Sequence, residues 1–474
     1  MQRRISSRVL AACEQFGPAV ALADGVREVS YADFGAAIRH WSELFAEQPG
    51  LHRIGFALPN SIAYVAAIYG AIEAGRVPFL MDDSLSWPEI RAIAKDVALD
   101  AVAFRGHEAD AAPTQQIGCF SFLTGSAVNQ APTDSPRLRH DTGICRFTSG
   151  TSGRPKCLEF SHDAVIAAAG TWYTANALTE RDVVVCLSGF YNGLAFNTSL
   201  AACFLAGARL AVYKGWASPS QVLRYAASQA ATRLVGFPVF YQMIVRAGTR
   251  REQFPASLTH FYSAASPLVN ETREILARDL GLNVINYYGV AETGPVTYEP
   301  DPARAEANGV PLPGCVLRVG AGGLEVRTPY MASGYLNLPG SFEERLTTDG
   351  YYRTADIGEL SAGRLTLGAR SDGHIDIGGK KFDPIDVVEA LRGITGIEDA
   401  FVFSREGRGA RELCAVVATR GEHMQADIRQ SLRESLAGFK IPQRIRCIKA
   451  LPRNSAGKLC VPEIRALFEK ETDE

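Results

Sequence analysis

Residues 147–156 read Phe-Thr-Ser-Gly-Thr-Ser-Gly-Arg-Pro-Lys, and the rest of the chain is organised around them. Gly150 and Gly153 let the backbone adopt φ > 0, so consecutive N–H groups can turn inward around an anion. The hydroxyls of Thr148, Ser149, Thr151 and Ser152 add donors, and Lys156 adds a mobile positive charge. Pro155 blocks helix continuation just before that lysine. Gly143 to Phe147 and Cys157 to Phe160 read as flanking strands, and Ser161 is placed to cap a helix over 163–177. A Walker loop needs Gly-Lys-Ser/Thr opening directly into a helix, and neither feature is present. Composition alone favours a solvated hairpin turn, since Ser/Thr/Gly clusters are commonly just turns. The order TSGTSGxPK is far more specific than its composition.

A chain of 474 residues has room for more than one domain of about 150 residues. Its 47% hydrophobic and 9% aromatic content is ample for large cores. A net charge of −2 leaves no footprint for nucleic acid. The ten cysteines are scattered without CxxC spacing, as expected of reduced thiols in a cytoplasmic protein. The basic N-terminus has an apolar run too short for a signal peptide, and no uninterrupted apolar run reaches the ~18 residues of a membrane span.

Short apolar runs alternate with helical patterns over 18–140. Helices are expected from Tyr31 to Phe45, from Asn60 to Gly75 and from Trp87 to Val97. Strands are expected at Ile54 to Leu58 and Val77 to Leu80. Residues 113–140, rich in Pro, Thr, Ser and Gln, read as a connection. Val183 to Leu187 and Val235 to Gly236 are further buried strands. Gly309 to Leu367 carries short β patterns with turns, the signature of a small barrel. Beyond it, 375–391 reads as a hairpin and helix. Strands at Ala400 to Phe403, Leu413 to Thr419 and Arg444 to Ile448 follow, with a helix around 426–438.

Further motifs follow the loop in order: SAASPL at 263–268, NYYGVAET at 286–293, TAD at 354–356, ARSD at 369–372 and PRNSAGK at 452–458. Together with TSGTSGRPK they resemble the adenylate-forming superfamily of acyl- and aryl-CoA synthetases, carrier-protein adenylation domains and luciferases. The likeness spans nearly the whole chain. It implies an α/β fold: a large N-terminal domain (1–371) of mainly parallel sheets covered by helices plus a small β-barrel, and a small mobile α+β C-terminal domain (373–474) hinged at Asp372.

The resemblance also implies roles. The loop Thr148, Ser149, Gly150, Thr151, Ser152, Gly153 and Lys156 would hold the ATP phosphates. Ser263, Ala264, Ala265, Tyr287, Tyr288 and Gly289 would lie along the nucleotide, with Tyr288 stacked on adenine. Glu292 would hold Mg²⁺, Thr293 the α-phosphate, Asp356 the ribose hydroxyls, and Arg370 would reach the nucleotide. Lys458 would bridge carboxylate and α-phosphate. Phe190, Tyr191, Asn192, Phe237 and Gly289 fall where relatives bind the acid. No aspartate stands near Phe190–Asn192 in the sequence to hold an α-amino group, and Asn192 falls where aryl-acid-activating relatives keep an asparagine; a helix cap is its other reading.

These residues imply adenylation of a small aromatic carboxylic acid, release of pyrophosphate, and transfer to a thiol, either CoA or a carrier-protein phosphopantetheine. Thioester-forming relatives usually have a lysine where Asp376 stands, which leaves an amine acceptor open; an oxyanion such as nitrite and a medium-chain fatty acid are alternative substrates. A nucleotide-binding regulator without catalysis should have lost Lys458, Glu292 or the loop first, and all are present.

Overall fold

The computed structural model describes residues 4–104, 114–124, 128, 136–148, 155–214, 218–264, 268, 270–301, 304, 308–320, 323–370, 374–407, 410–419, 425–452 and 461–468. They form two compact units. One comprises Met1–Asp83, Arg91–Thr148 and Lys156–Asp372; the other is built on Gly373–Glu474 together with Ser84–Ile90.

Two large sheets dominate the first unit. In the nine-stranded sheet, Arg209–Val212, Val183–Cys186, Arg233–Gly236, His260–Ser263 and Val284–Val290 lie side by side in parallel. In the eight-stranded sheet, Ala101–Phe104, Arg53–Ala57, Val77–Leu80 and Thr142–Thr148 do the same. Strands covered on both faces carry apolar runs such as VVVC, as parallel strands require. Both sheets turn antiparallel at their edges. The sheets are therefore mixed, parallel in the centre rather than throughout, because edge strands arrive through short hairpins and not helical crossovers.

Serines start three covering helices. Ser30, Ser61 and Ser161 accept hydrogen bonds from the N–H groups of Asp33, Tyr64 and Ala164, opening Tyr31–Ala46, Ile62–Glu73 and His162–Ala175. One element departs from the sequence reading. The expected connection over 113–140 contains a hairpin, Thr114–Ile117 with Phe120–Thr124, turning at Gly118 with φ 58°. Its Phe122 is fully buried and its Phe120 stacks on Trp41 at 5.4 Å. The N-terminal apolar run is a helix, Ile5–Phe16, burying Ile5, Val9 and Cys13.

Short strands over 309–367 form a three-stranded sheet (Val316–Gly320, Gly323–Arg327, Tyr352–Arg353) and a hairpin (Asp356–Ser361 with Arg364–Arg370). Val296, Leu324, Val326 and Leu365 are their common core. In the second unit, Ile397–Glu406, Arg411–Thr419 and Arg444–Ile448 make one sheet. Leu391 of helix Pro384–Arg392 and Ile428 of helix Gln425–Arg433 share one core with Val402 and Val417 of that sheet. The second of these helices stops five residues before its expected end.

Gly70 marks the closest approach of two helices. A Cβ there would stand 2.3 Å from the Trp41 Cβ and 3.0 Å from the Ile38 carbonyl oxygen. Alanine would gain up to about 1 kcal/mol of helix propensity, but the contact is with a neighbouring backbone that cannot swing away. Gly70→Ala should therefore lose about 2 kcal/mol in urea unfolding, within the range of core overpacking. An increase in stability would show that the helices can part.

Candidate active site

The ladder between Thr142–Thr148 and Lys156–Ser161 ends with Thr148 paired to Lys156. Ser149, Gly150, Thr151, Ser152 and Gly153 lie outside the described residues, but both ends of their loop are fixed by this pairing. Tyr335 pairs with Leu158 on the far side of the same strand. The Lys156 ammonium sits 5.1 Å from the centre of the Tyr335 ring, within cation–π range. The Tyr335 hydroxyl donates to Glu292 Oε1 at 2.7 Å and lies 3.0 Å from the Tyr352 hydroxyl. Burial, and then the Glu292 charge, push the Tyr335 phenol far above its ordinary pKa. It is a fixed donor at neutral pH, and it aims one oxygen of Glu292.

Next to Glu292, the Thr293 hydroxyl is fully buried and has no hydrogen-bond partner among the described residues. The Thr328 hydroxyl and the Val290 carbonyl hold its backbone at 2.7 and 3.1 Å. Ser263, at the end of the parallel strand His260–Ser263, also has a fully buried hydroxyl without a partner among the described residues. Ala264 follows it, buried; Ala265 lies outside the described residues. Orphaned buried hydroxyls are uncommon and costly, and two of them at motif positions are consistent with donors kept for a ligand. Tyr288 donates to Asp356 Oδ2 at 2.8 Å, with both residues buried. Arg370 is the backbone partner of Asp356 across its hairpin. Tyr287 lies edge-on to Trp172 at 4.9 Å, and a side chain at Gly289 would come within 2.8 Å of the Gly294 carbonyl oxygen.

The segment assigned to the acid is held by a residue that motif reading passed over. Asn60 donates to the Ser188 carbonyl and accepts from the Phe190 N–H, each at 2.9 Å. Phe190 is buried against Tyr64, and Phe237 is buried as well. Asn192 Oδ1 accepts from the Leu194 N–H at 2.9 Å, so its carbonyl caps a short helix while its amide N–H₂ group is not used by that cap. The expectation that no aspartate lies near this segment holds only along the sequence. The fold brings Asp82 against Tyr191, whose phenol is pushed up by burial and then by that carboxylate. Asp82 comes from just beyond the strand Val77–Leu80, too far along the chain to be seen locally.

Lys458 and the hinge candidate Asp372 lie outside the described residues. Asp376 Oδ1 accepts from the Gly379 N–H at 2.9 Å, closing the hairpin Ile375–Ile377 with Lys380–Phe382. For a metal, the described residues contain no cluster of three or more His, Cys, Asp or Glu. Glu292 as a single carboxylate fits Mg²⁺, which takes one or two carboxylates and fills its shell with phosphates and water. Tyr335 was also missed by motif reading: a two-residue strand, Gly334–Tyr335, leaves no periodicity to read.

The Tyr288–Asp356 pair can be tested by a double-mutant cycle of Tyr288→Phe with Asp356→Asn in urea unfolding. A hydrogen bond to a buried charge predicts a coupling of about 1.5–3 kcal/mol; additive effects would contradict it.

Residues 9–336 match the family described as AMP-binding enzyme, and 387–458 its C-terminal domain. A methyl-dioxo-octahydroindenyl-propanoyl:CoA ligase of Mycobacterium tuberculosis is 28% identical over 403 residues, covering 83% of this chain and 73% of that protein. A 3-hydroxybenzoate–CoA ligase of Aromatoleum sp. is 26% identical, covering 97% of both chains. An o-succinylbenzoate CoA synthetase from Bacillus subtilis superposes with a TM-score of 0.84 at 19% identity, over 97% of this chain and 98% of its own. With its family signature spread over both units, the chain belongs to the AMP-binding enzymes and is an AMP-forming ligase.

Proposed function

We propose that this ligase activates a small aromatic carboxylic acid as its adenylate and passes the acyl group to a thiol, with CoA favoured as acceptor. The observation that carries the reading is the buried, unpartnered Thr293 hydroxyl beside the aimed carboxylate of Glu292. That pair supports a site where phosphate oxygens and their cation replace the missing partners. The similarity to 3-hydroxybenzoate–CoA ligase along the full chain supports an aryl acid and CoA.

In this reading the acid carboxylate attacks the α-phosphorus of ATP and pyrophosphate leaves. The protein positions groups and neutralises charge, with no covalent step of its own. Tyr288 and Asp356 bind the nucleoside; Lys156 and the loop 148–153 bind the outer phosphates; the Thr293 hydroxyl donates to the α-phosphate. Mg²⁺, when bound with ATP, neutralises phosphate charge, and Glu292 is the carboxylate that would hold it. Lys458 supplies the charge between carboxylate and α-phosphate. Phe190 and Phe237 form flat apolar walls, and the Asn192 N–H₂ group donates to a ring substituent.

Pyrophosphate exchange across substituted benzoates, cinnamates and octanoate tests the substrate. A hydroxy- or aminobenzoate should exceed octanoate, and Asn192→Ser, which keeps a capping oxygen, should lose mainly that preference. If octanoate wins and the variant changes nothing, the aryl-acid reading fails. Lys458→Ala should cut exchange by about 10²–10³-fold, the scale of one preorganised charge-stabilising donor. ATP binding should persist, because Tyr288, Thr293, Asp356 and Lys156, proposed to hold the nucleotide, belong to the other unit. Exchange near the wild-type rate would remove Lys458 from the chemistry.

A further inference from the structure

Arg146 is a buried charged side chain with no carboxylate partner among the described residues. It lies in Thr142–Thr148, between the neighbouring strands Val77–Leu80 and Lys156–Ser161, paired to Leu80 and Leu158. The residue is only 5% exposed, and its Nε and Nη1 have no hydrogen-bond partner. No carboxylate among the described residues forms an ion pair with it. The guanidinium carbon stands 4.2 Å from the centre of the Phe160 ring, a contact that offsets only part of the cost of burying a charge. Burial pushes its pKa down to about 10, with the Tyr287 phenol beside it acting the other way, so it is still cationic at neutral pH. An apolar residue would fill this strand position at far lower cost.

Its surroundings place it at the acid. A Cβ on Gly193 would lie 2.5 Å from Arg146 Nη1; the glycine that follows Asn192 leaves the room this guanidinium occupies. Tyr287, its other neighbour, precedes the adenine candidate Tyr288. The side chain thus sits between the two stretches that the proposed function assigns to acid and nucleotide. The reacting carboxylate must give an oxygen to phosphorus, whereas a guanidinium fork occupies both oxygens of the carboxylate it binds. Arg146 therefore suits a carboxylate that does not react.

We propose that Arg146 is a specificity residue for a dianionic acid: one carboxylate is activated, and a second is held by this guanidinium. The inference rests on the proposed function for the location of the acid and narrows its substrate class. Binding is the direct test, because it needs no turnover. Titration calorimetry with isophthalate against benzoate, and adipate against hexanoate, is run with Mg²⁺ and a non-hydrolysable ATP analogue present. In the wild type, at least one dicarboxylate should bind about 10²-fold more tightly than its monoacid partner, the scale of a desolvated charge pair. Arg146→Met should bring that ratio near 1. Gly193→Ala, which displaces the guanidinium without removing it, should lower the ratio too. Far-ultraviolet circular dichroism and analogue binding confirm that each variant is folded. A monoacid that binds as tightly as its dicarboxylate, or a ratio that Arg146→Met leaves intact, would overturn the proposal and make Arg146 a stacked core residue. Absence of pyrophosphate exchange with every acid would instead refute the adenylation reading and leave the binding ratio to be judged alone.

Discussion

The antiparallel ladder from Thr142–Thr148 to Lys156–Ser161 is the constraint on which the first unit's site depends. Its register puts Thr148 opposite Lys156, so both ends of the loop proposed to bind phosphate are anchored by sheet hydrogen bonds. The outer strand then pairs with Gly334–Tyr335, which brings the Tyr335 ring under Lys156 and its hydroxyl to Glu292. A slip of one residue would turn every side chain of the strand to the other face. Lys156 would leave Tyr335, and Arg146 would be exchanged for Cys145 or Phe147. The apolar faces Ile144, Leu158 and Phe160, all buried in one core, make that slip expensive.

Around this ladder the protein keeps polar groups that its own fold does not satisfy. Among the described residues, Thr293 and Ser263 hold buried hydroxyls without partners, and Arg146 holds a buried cation without an anion. Each costs stability in the free protein, about 1–3 kcal/mol for a lost hydrogen bond and more for a charge. Elsewhere the same unit shows the usual solution: buried Arg233 meets Asp182 at 2.8 Å and the Tyr262 hydroxyl at 2.8 Å. Buried groups without a hydrogen bond among the described residues also occur in the scaffold, as at the Tyr64 and Tyr69 hydroxyls; those at motif positions are where a preorganised ligand site would use them.

Much of this was legible in the sequence. Ser161 was readable as a cap because a serine ahead of an apolar helix has a local reason to be there. The strand Arg444–Ile448 and the loop flanks were equally local. What escaped depended on distance along the chain. Asp82 reaches Tyr191, and Asn60 clamps Ser188 and Phe190, across about 110 and 130 residues, as the numbering of each pair shows. The hairpin Thr114–Ile117 with Phe120–Thr124 was hidden by polar Gln and Ser on its solvent side, which made a half-buried strand pair resemble a linker. Asn192 shows the cap reading directly: its carbonyl caps a short helix.

The central claim is that a carboxylate oxygen attacks the α-phosphorus. The most direct measurement follows an acid labelled with ¹⁸O in its carboxylate through complete turnover with ATP, Mg²⁺ and CoA, with mass spectrometry of the products. The account predicts AMP carrying one ¹⁸O from the acid and unlabelled pyrophosphate. Label in orthophosphate with formation of ADP, or AMP released without label, would contradict it.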